Sequence, residues 1–221
     1  MAKIAAVIPA YNEEKHIGDV VRRTRQKLDD VLVVDDGSFD KTADRAREAG
    51  AEVIVHEQNL GKGETIKTGL RLFLDRQFDF VIILDADGQH RPEEIDRFVA
   101  AALSADEPKL ILGTRMNDLS TMPLVRRIVN RWMSDQISAV AGQRIPDTQC
   151  GYRMLHRQLI PDLLGGAARF DYETEMLIIA SRKGFKIASV PISTVYSDEV
   201  SSIHPVRDTI RFFKLMRRYK R

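Results

Sequence analysis

Residues 80–95, FVIILDADGQHRPEEI, govern how the whole chain is read. The strand formers from Phe80 to Leu84 pass without a break into Asp85 and Asp87, followed by Gln89 and His90. An apolar run without alternation belongs to a strand covered on both faces. Carboxylates crowded at the mouth of such a strand cost about 1–4 kcal/mol unless something offsets their charge. A positive partner is therefore expected between them. Pro92 with Glu93 and Glu94 then opens a helix, as proline and acids in a first turn do.

Working outward, further apolar runs at 4–8, 31–34, 52–56 and 110–112 alternate with helical patterns at about 13–28, 40–49, 63–76 and 92–104. This rhythm predicts an α/β fold with a mostly parallel central sheet and helices on both faces. Beyond Arg115 it changes: a polar loop at 117–122, a long helix at 123–141, a short mixed stretch at 147–156, a helix at 171–183 and a strand at 186–195. We expect one domain over 1–221, with a nucleotide-binding half at 1–115, an acceptor half at 116–203 and a basic amphipathic helix at 204–221.

In open α/β sheets, ligands lie beyond the carboxyl ends of the strands. Collected there are Pro9, Tyr11 and Glu13, then Asp35 and Asp36, then Asp85, Asp87 and Gln89, and finally Arg115. Asp85, Asp87 and Gln89, spaced D-x-D-x-Q, offer the hard oxygens that suit Mg²⁺ or Mn²⁺. The chain has neither a G-x-x-x-x-G-K-[ST] loop nor a G-x-G-x-x-G turn, which argues against a P-loop ATPase and a dinucleotide-binding dehydrogenase.

Composition narrows the class. With 221 residues, 43% of them hydrophobic, the chain can bury an ample core. A single cysteine, Cys150, excludes an internal disulfide. No apolar run reaches membrane-spanning length, and the N-terminus lacks a signal-peptide layout, so a cytoplasmic location is expected. Residues 201–221 carry seven Lys or Arg against one acid, Asp208, interleaved with Phe212, Phe213, Leu215 and Met216. This is either a solvated helix end or a segment drawn to anionic headgroups or a membrane subunit on the inner face of the membrane. No nucleic-acid partner is expected.

The segments VIPAYNEEKHI, VLVVDDGSFDKT, NLGKGETIKTGL, ILDADGQHRPEEI and DTQCGYRML occur in this order. Together they closely resemble the family 2 glycosyltransferases, in particular the dolichol- or polyprenol-phosphate sugar synthases. The resemblance implies a GT-A fold, a GDP- or UDP-sugar donor, a divalent metal and a polyprenyl-phosphate acceptor. It implies that Pro9, Tyr11 and Glu13 hold the nucleoside, that Asp36 binds the base with Asp35 in support, and that Lys62 faces the nucleotide. Asp85 would contact the ribose or diphosphate, and Asp87 with Gln89 the metal.

Arg115 and Arg153 are the candidate phosphate clamps, with Arg126 or Arg127 on the acceptor phosphate; adjacent helical positions diverge by about 100°, so only one of that pair can face the site. Asp147 is read as a base or as an orienter of the acceptor. Of Glu173 and Glu175, which lie on different faces of one helix, Glu175 matches the family position better. Two rivals remain: transfer to a glycan or small-molecule hydroxyl, and a non-catalytic sugar-nucleotide-binding subunit.

Overall fold

The computed structural model describes residues 2–115, 124–165, 171–193, 217 and 219. Seven strands form one sheet in the order β3-β2-β1-β4-β6-β5-β7. They are β1 (Ile4–Ala10), β2 (Asp30–Asp35), β3 (Glu52–Val55), β4 (Phe80–Ile83), β5 (Leu110–Thr114), β6 (Arg153–His156) and β7 (Ile187–Pro191). β1 pairs in parallel with β2 and β4, β2 with β3, and β5 with β7. β6 alone runs antiparallel, wedged between β4 and β5. The expected mostly parallel sheet is therefore present, but the stretch read as short and mixed supplies one of its inner strands.

Alternation along the buried strands sorts the core into two layers. Ala5, Val7, Leu32, Val34, Val81 and Ile83 face one way. They meet α3 (Lys62–Asp75), α5 (Leu124–Ala141), the short α6 (Ile160–Leu163) and α7 (Asp171–Arg182). Ala6, Ile8, Val31, Val33 and Ile82 face the other way, onto α1 (Ile17–Arg25), α2 (Thr42–Glu48) and α4 (Ile95–Ala102). With both faces covered, hydrophobic burial is available to every residue of β4, which explains its unbroken apolar run.

Two details prepare the site. Val7 and its alternates along β1 direct their backbone groups toward β4, and that ladder ends at the Val7–Ile83 pair. Pro9 comes two residues later, so its missing N–H leaves no β4 partner unpaired. At Gly69, α3 comes so close to β1 that a Cβ would stand 2.7 Å from both Val7 methyl groups. This close approach brings the N-terminus of α3 to the carboxyl end of the sheet.

Candidate active site

The loops after β1 and β2 are stitched to each other. Asn12, at φ 57°, donates its N–H to Ser38 Oγ (2.9 Å) and accepts from the Phe39 N–H through Oδ1 (2.9 Å). The Glu13 N–H donates to Thr42 Oγ1 (2.7 Å). Asp35 Oδ1 accepts from both the N–H (2.9 Å) and the hydroxyl (2.6 Å) of Ser38. Asp35 thus supports the turn, and this hydrogen bonding presents Tyr11, 40% exposed, edge-on to Phe39 with ring centroids 6.3 Å apart. Phe39 is 89% exposed and was not singled out from the sequence.

Asp36 has a different place from the one expected. It is buried, and its carboxylate accepts from His56 Nδ1 (2.8 Å), the Leu60 N–H (2.9 Å) and the Gly61 N–H (2.7 Å). Instead of facing a base, it holds the chain entering α3. Gly61, at φ +96°, turns there, and Lys62 follows as the first residue of the helix.

Lys62 supplies a positive charge to the first of the two aspartates, Asp85. Its Nζ lies 2.6 Å from Asp85 Oδ1 and 3.2 Å from Glu173 Oε1. Burial opposes charge on Asp85, but the Lys62 ammonium outweighs it and holds the carboxyl down at about 2. Burial likewise opposes charge on Lys62, and the two carboxylates raise its pKa above the ordinary lysine value. Opposite Lys62, Gly151 backs the Asp85 carboxylate: a Cβ there would fall 2.6 Å from Oδ2.

The rest of the loop is braced by His90. Its Nδ1 accepts the Asp85 N–H (3.1 Å), and its ring stacks on Tyr152 at 5.0 Å. Burial, aided by Lys62, pushes the imidazole down to about 4, so it is neutral and caps the loop. Asp87 and Gln89 remain half-buried, with the Gln89 N–H on Asp87 Oδ1 (2.9 Å). Among the described residues no group of three or more His, Cys, Asp or Glu side chains could hold a cation. Asp87 and Gln89 nonetheless fit Mg²⁺ or Mn²⁺ by donor type, provided phosphate oxygens and water complete the shell.

The acceptor side departs from expectation at three positions. Arg153 is fully buried, donating from Nε to the Cys150 carbonyl (2.8 Å), from Nη2 to that of Thr148 (3.1 Å) and from Nη1 to that of Glu173. It is an internal strut, because a guanidinium with several donors can satisfy carbonyls that no strand pairs. Asp147 is also buried, and Arg115 grips it through Nε (2.8 Å), Nη2 (2.9 Å) and its own N–H (3.2 Å). The proposed base and the proposed clamp are therefore partners. Glu175 is buried under the Tyr219 hydroxyl (2.6 Å), whereas Glu173, set aside in the sequence reading, faces the site beside Lys62.

Arg127 is half-exposed on α5, while the Arg126 side chain lies outside the described residues, as does 204–221 apart from Arg217 and Tyr219. No helix among the described residues is long and apolar enough to cross a membrane.

A mostly parallel sheet with acids collected at its carboxyl edge is the arrangement expected of the GT-A fold, and the comparisons with known proteins agree. Glucosyl-3-phosphoglycerate synthase of Mycobacterium tuberculosis, solved with UDP, superposes with a TM-score of 0.76 at 24% identity, over 97% of this chain and 79% of that one. Its complex with Mn²⁺, UDP and glucosyl-3-phosphoglycerate gives 0.71 at 22% identity, over 96% and 76%. Residues 5–164 match Glycosyl transferase family 2, and the chain belongs to that family. The UDP-N-acetylglucosamine–dolichyl-phosphate N-acetylglucosaminyltransferase of Methanococcus voltae is 32% identical, over 88% of this chain and 86% of its own length. The undecaprenyl-phosphate mannosyltransferase of Micrococcus luteus is 29% identical, over 87% and 84%. The chain is thus a glycosyltransferase similar to the polyprenol-phosphate sugar synthases.

Proposed function

We propose that the chain transfers a hexose from a UDP- or GDP-sugar to a polyprenyl phosphate, with inversion at the anomeric carbon. The observation that carries this reading is the Lys62-braced Asp85 beside half-exposed Asp87 at the open end of β4. The relatives' names supply the lipid-phosphate acceptor class. Tyr11 and Phe39 offer a surface to the base. Asp85 accepts from a donor hydroxyl, its ionised form secured by Lys62. Asp87 and Gln89 would hold a divalent cation, which when bound shields the charge of the leaving diphosphate.

An acceptor phosphate is already anionic near neutral pH and needs orientation more than a base. This suits a site in which Asp147 and Glu175 are both committed to internal partners. Arg115, held in a fixed plane by Asp147, and Arg127 on α5 are the cations nearest this role.

The test is transfer from UDP- and GDP-sugars to a short, water-soluble polyprenyl phosphate, with calorimetric binding of UDP and GDP to wild type and Asp87→Ala, each with and without Mn²⁺. Product formation with one donor, and nucleotide binding lost in the variant, supports the reading. Nucleotide binding without product would mark a sugar-nucleotide-binding subunit. Transfer to a hydroxyl acceptor only would replace the lipid phosphate.

A further inference from the structure

The carboxylates at the mouth of β1 and β2 are engaged within the protein. Asp36, the acid expected to read the base, is 3% exposed and holds His56 and the Leu60 and Gly61 N–H groups. His56 is fixed in turn through Nε2 on Thr68 Oγ1 (3.0 Å), so its ring stays under the loop. Asp35 takes the N–H and hydroxyl of Ser38. Asp40 takes the Thr42 N–H (3.0 Å), the Thr42 hydroxyl and the Glu14 N–H (3.1 Å). Buried and already hydrogen-bonded, Asp36 presents nothing to a base lying outside.

The same loops present aromatic rings outward. Phe39 is 89% exposed, although a phenyl ring left in water forgoes the gain of burial. Its backbone is held in place: the Phe39 N–H is fixed on Asn12 Oδ1 (2.9 Å), and Asn12 is tied to Ser38. The Phe39 ring stands at 71° to that of Tyr11. A flat base laid on one ring can present its edge to the other, and stacked and edge-to-face are the two arrangements aromatic rings prefer. In the order β2-β1-β4, Phe39 follows β2 while Asp85 and Asp87 follow β4. Two strand spacings, about 10 Å, separate those strands. An extended nucleoside diphosphate covers that reach, with its phosphates at the aspartates and its base at the rings.

We propose that Phe39 determines base specificity at the donor site by stacking on the base, with no hydrogen-bonding reader, so that the site takes nucleoside diphosphates of different bases and leaves the choice of donor to the sugar. Every base has a π-face, so stacking tolerates base identity and favours the larger purines. A site built to hydrogen-bond one partner instead rejects others by orders of magnitude. The proposal rests on the sugar-nucleotide reading above.

Calorimetry on the full chain with GDP, ADP, UDP and CDP, each with Mn²⁺, tests it. Wild type should bind all four within about tenfold of one another, the purines more tightly. Phe39→Ala should weaken all four by about tenfold or more. Phe39→Tyr keeps a ring face and should bind as wild type does, whereas Phe39→Leu should not. Inorganic pyrophosphate, which has no base, should bind wild type and Phe39→Ala alike. The side chain is exposed, so these substitutions remove no contact of the core.

One base bound more than about a hundredfold tighter than the rest would reveal a hydrogen-bonding reader and overturn the proposal. Equal affinities of Phe39→Ala and wild type would do the same, and a parallel loss of pyrophosphate binding would assign Phe39 to the shape of its loop. Each of these results leaves the sugar-nucleotide reading in place. Folded protein that binds no nucleoside diphosphate at all removes that reading and the inference with it.

Discussion

Gly151 and Asp85 interlock: the Asp85 carboxylate fills the space where a side chain at 151 would begin, 2.6 Å from a Cβ built there. Asp85 cannot retreat freely, because Lys62 holds its other oxygen at 2.6 Å. Gly151→Ala must therefore displace the carboxylate or the β6 approach, at about 1–3 kcal/mol. We expect a folded protein with a modestly lower Tm and nucleotide affinity reduced at least about tenfold, read by calorimetry. Unchanged affinity would separate Asp85 from the donor site.

Lys62 is the cation between Asp85 and Glu173, so Lys62→Met leaves two carboxylates facing each other. The loss at neutral pH should be about 2–4 kcal/mol, discounted from fully buried pairs because both acids keep some solvent contact. The Asp85 carboxyl, depressed to about 2 in the folded wild type, contributes stability above its unfolded pKa that is lost as pH falls through 2. In the variant the sign reverses, since burial without a cation raises the folded pKa. Thermal melts should show the variant gaining stability from pH 7 to 5, where the wild type gains none.

His90 adds a second acid limb. Its folded pKa of about 4 lies below the unfolded value near 6.5, so neutral His90 contributes stability above pH 6.5 that is lost as pH falls toward 4. The loss approaches about 3 kcal/mol. His90→Asn retains an acceptor for the Asp85 N–H and should flatten urea-unfolding stability over this window. A slope identical to wild type would place the titration elsewhere.

Asp147→Asn discriminates base from brace. A base would lose turnover by orders of magnitude with the fold intact. As the partner of Arg115, Asp147 should instead lose about 2–4 kcal/mol of stability on substitution. Transfer should fall less than about a hundredfold and mainly through acceptor KM, as Arg115 loses its fixed plane. Initial rates against acceptor concentration, beside urea melts, decide between them.

Gly69→Ala tests the packing that delivers Lys62. The added methyl meets both Val7 methyls at 2.7 Å, so a loss of about 1–3 kcal/mol is expected. Adding Val7→Ala makes room and should recover part of it, a coupling that a double-mutant cycle measures directly.

The inner strands β1, β2, β4 and β5 were legible because a parallel strand covered on both faces must be apolar throughout, and the part-exposed edge strands β3 and β7 because short Val- and Ile-bearing runs follow helices in the same rhythm. β6 was not. Arg153-Met154-Leu155-His156 has a charged first residue whose burial is possible only because the carbonyls of Thr148, Cys150 and Glu173 converge on it. Nothing local announces that convergence. Glu173 and Glu175 illustrate the same limit: helical geometry states that they diverge, yet which one meets Lys62 depends on how α7 is rotated against α3.

By itself the sequence determined the alternating architecture, the edge at which acids and amides collect, the family, and the need for a cation at Asp85. Those follow from local hydrophobic pattern and from motifs carried on contiguous residues. Only the tertiary structure decided who pairs with whom. It made Lys62 the partner of Asp85, closed Arg115 onto Asp147, and turned Asp36 inward to hold Gly61. Each of these pairings joins residues far apart in the chain, and an ion pair or a packing contact depends on distances through space that spacing along the chain does not encode.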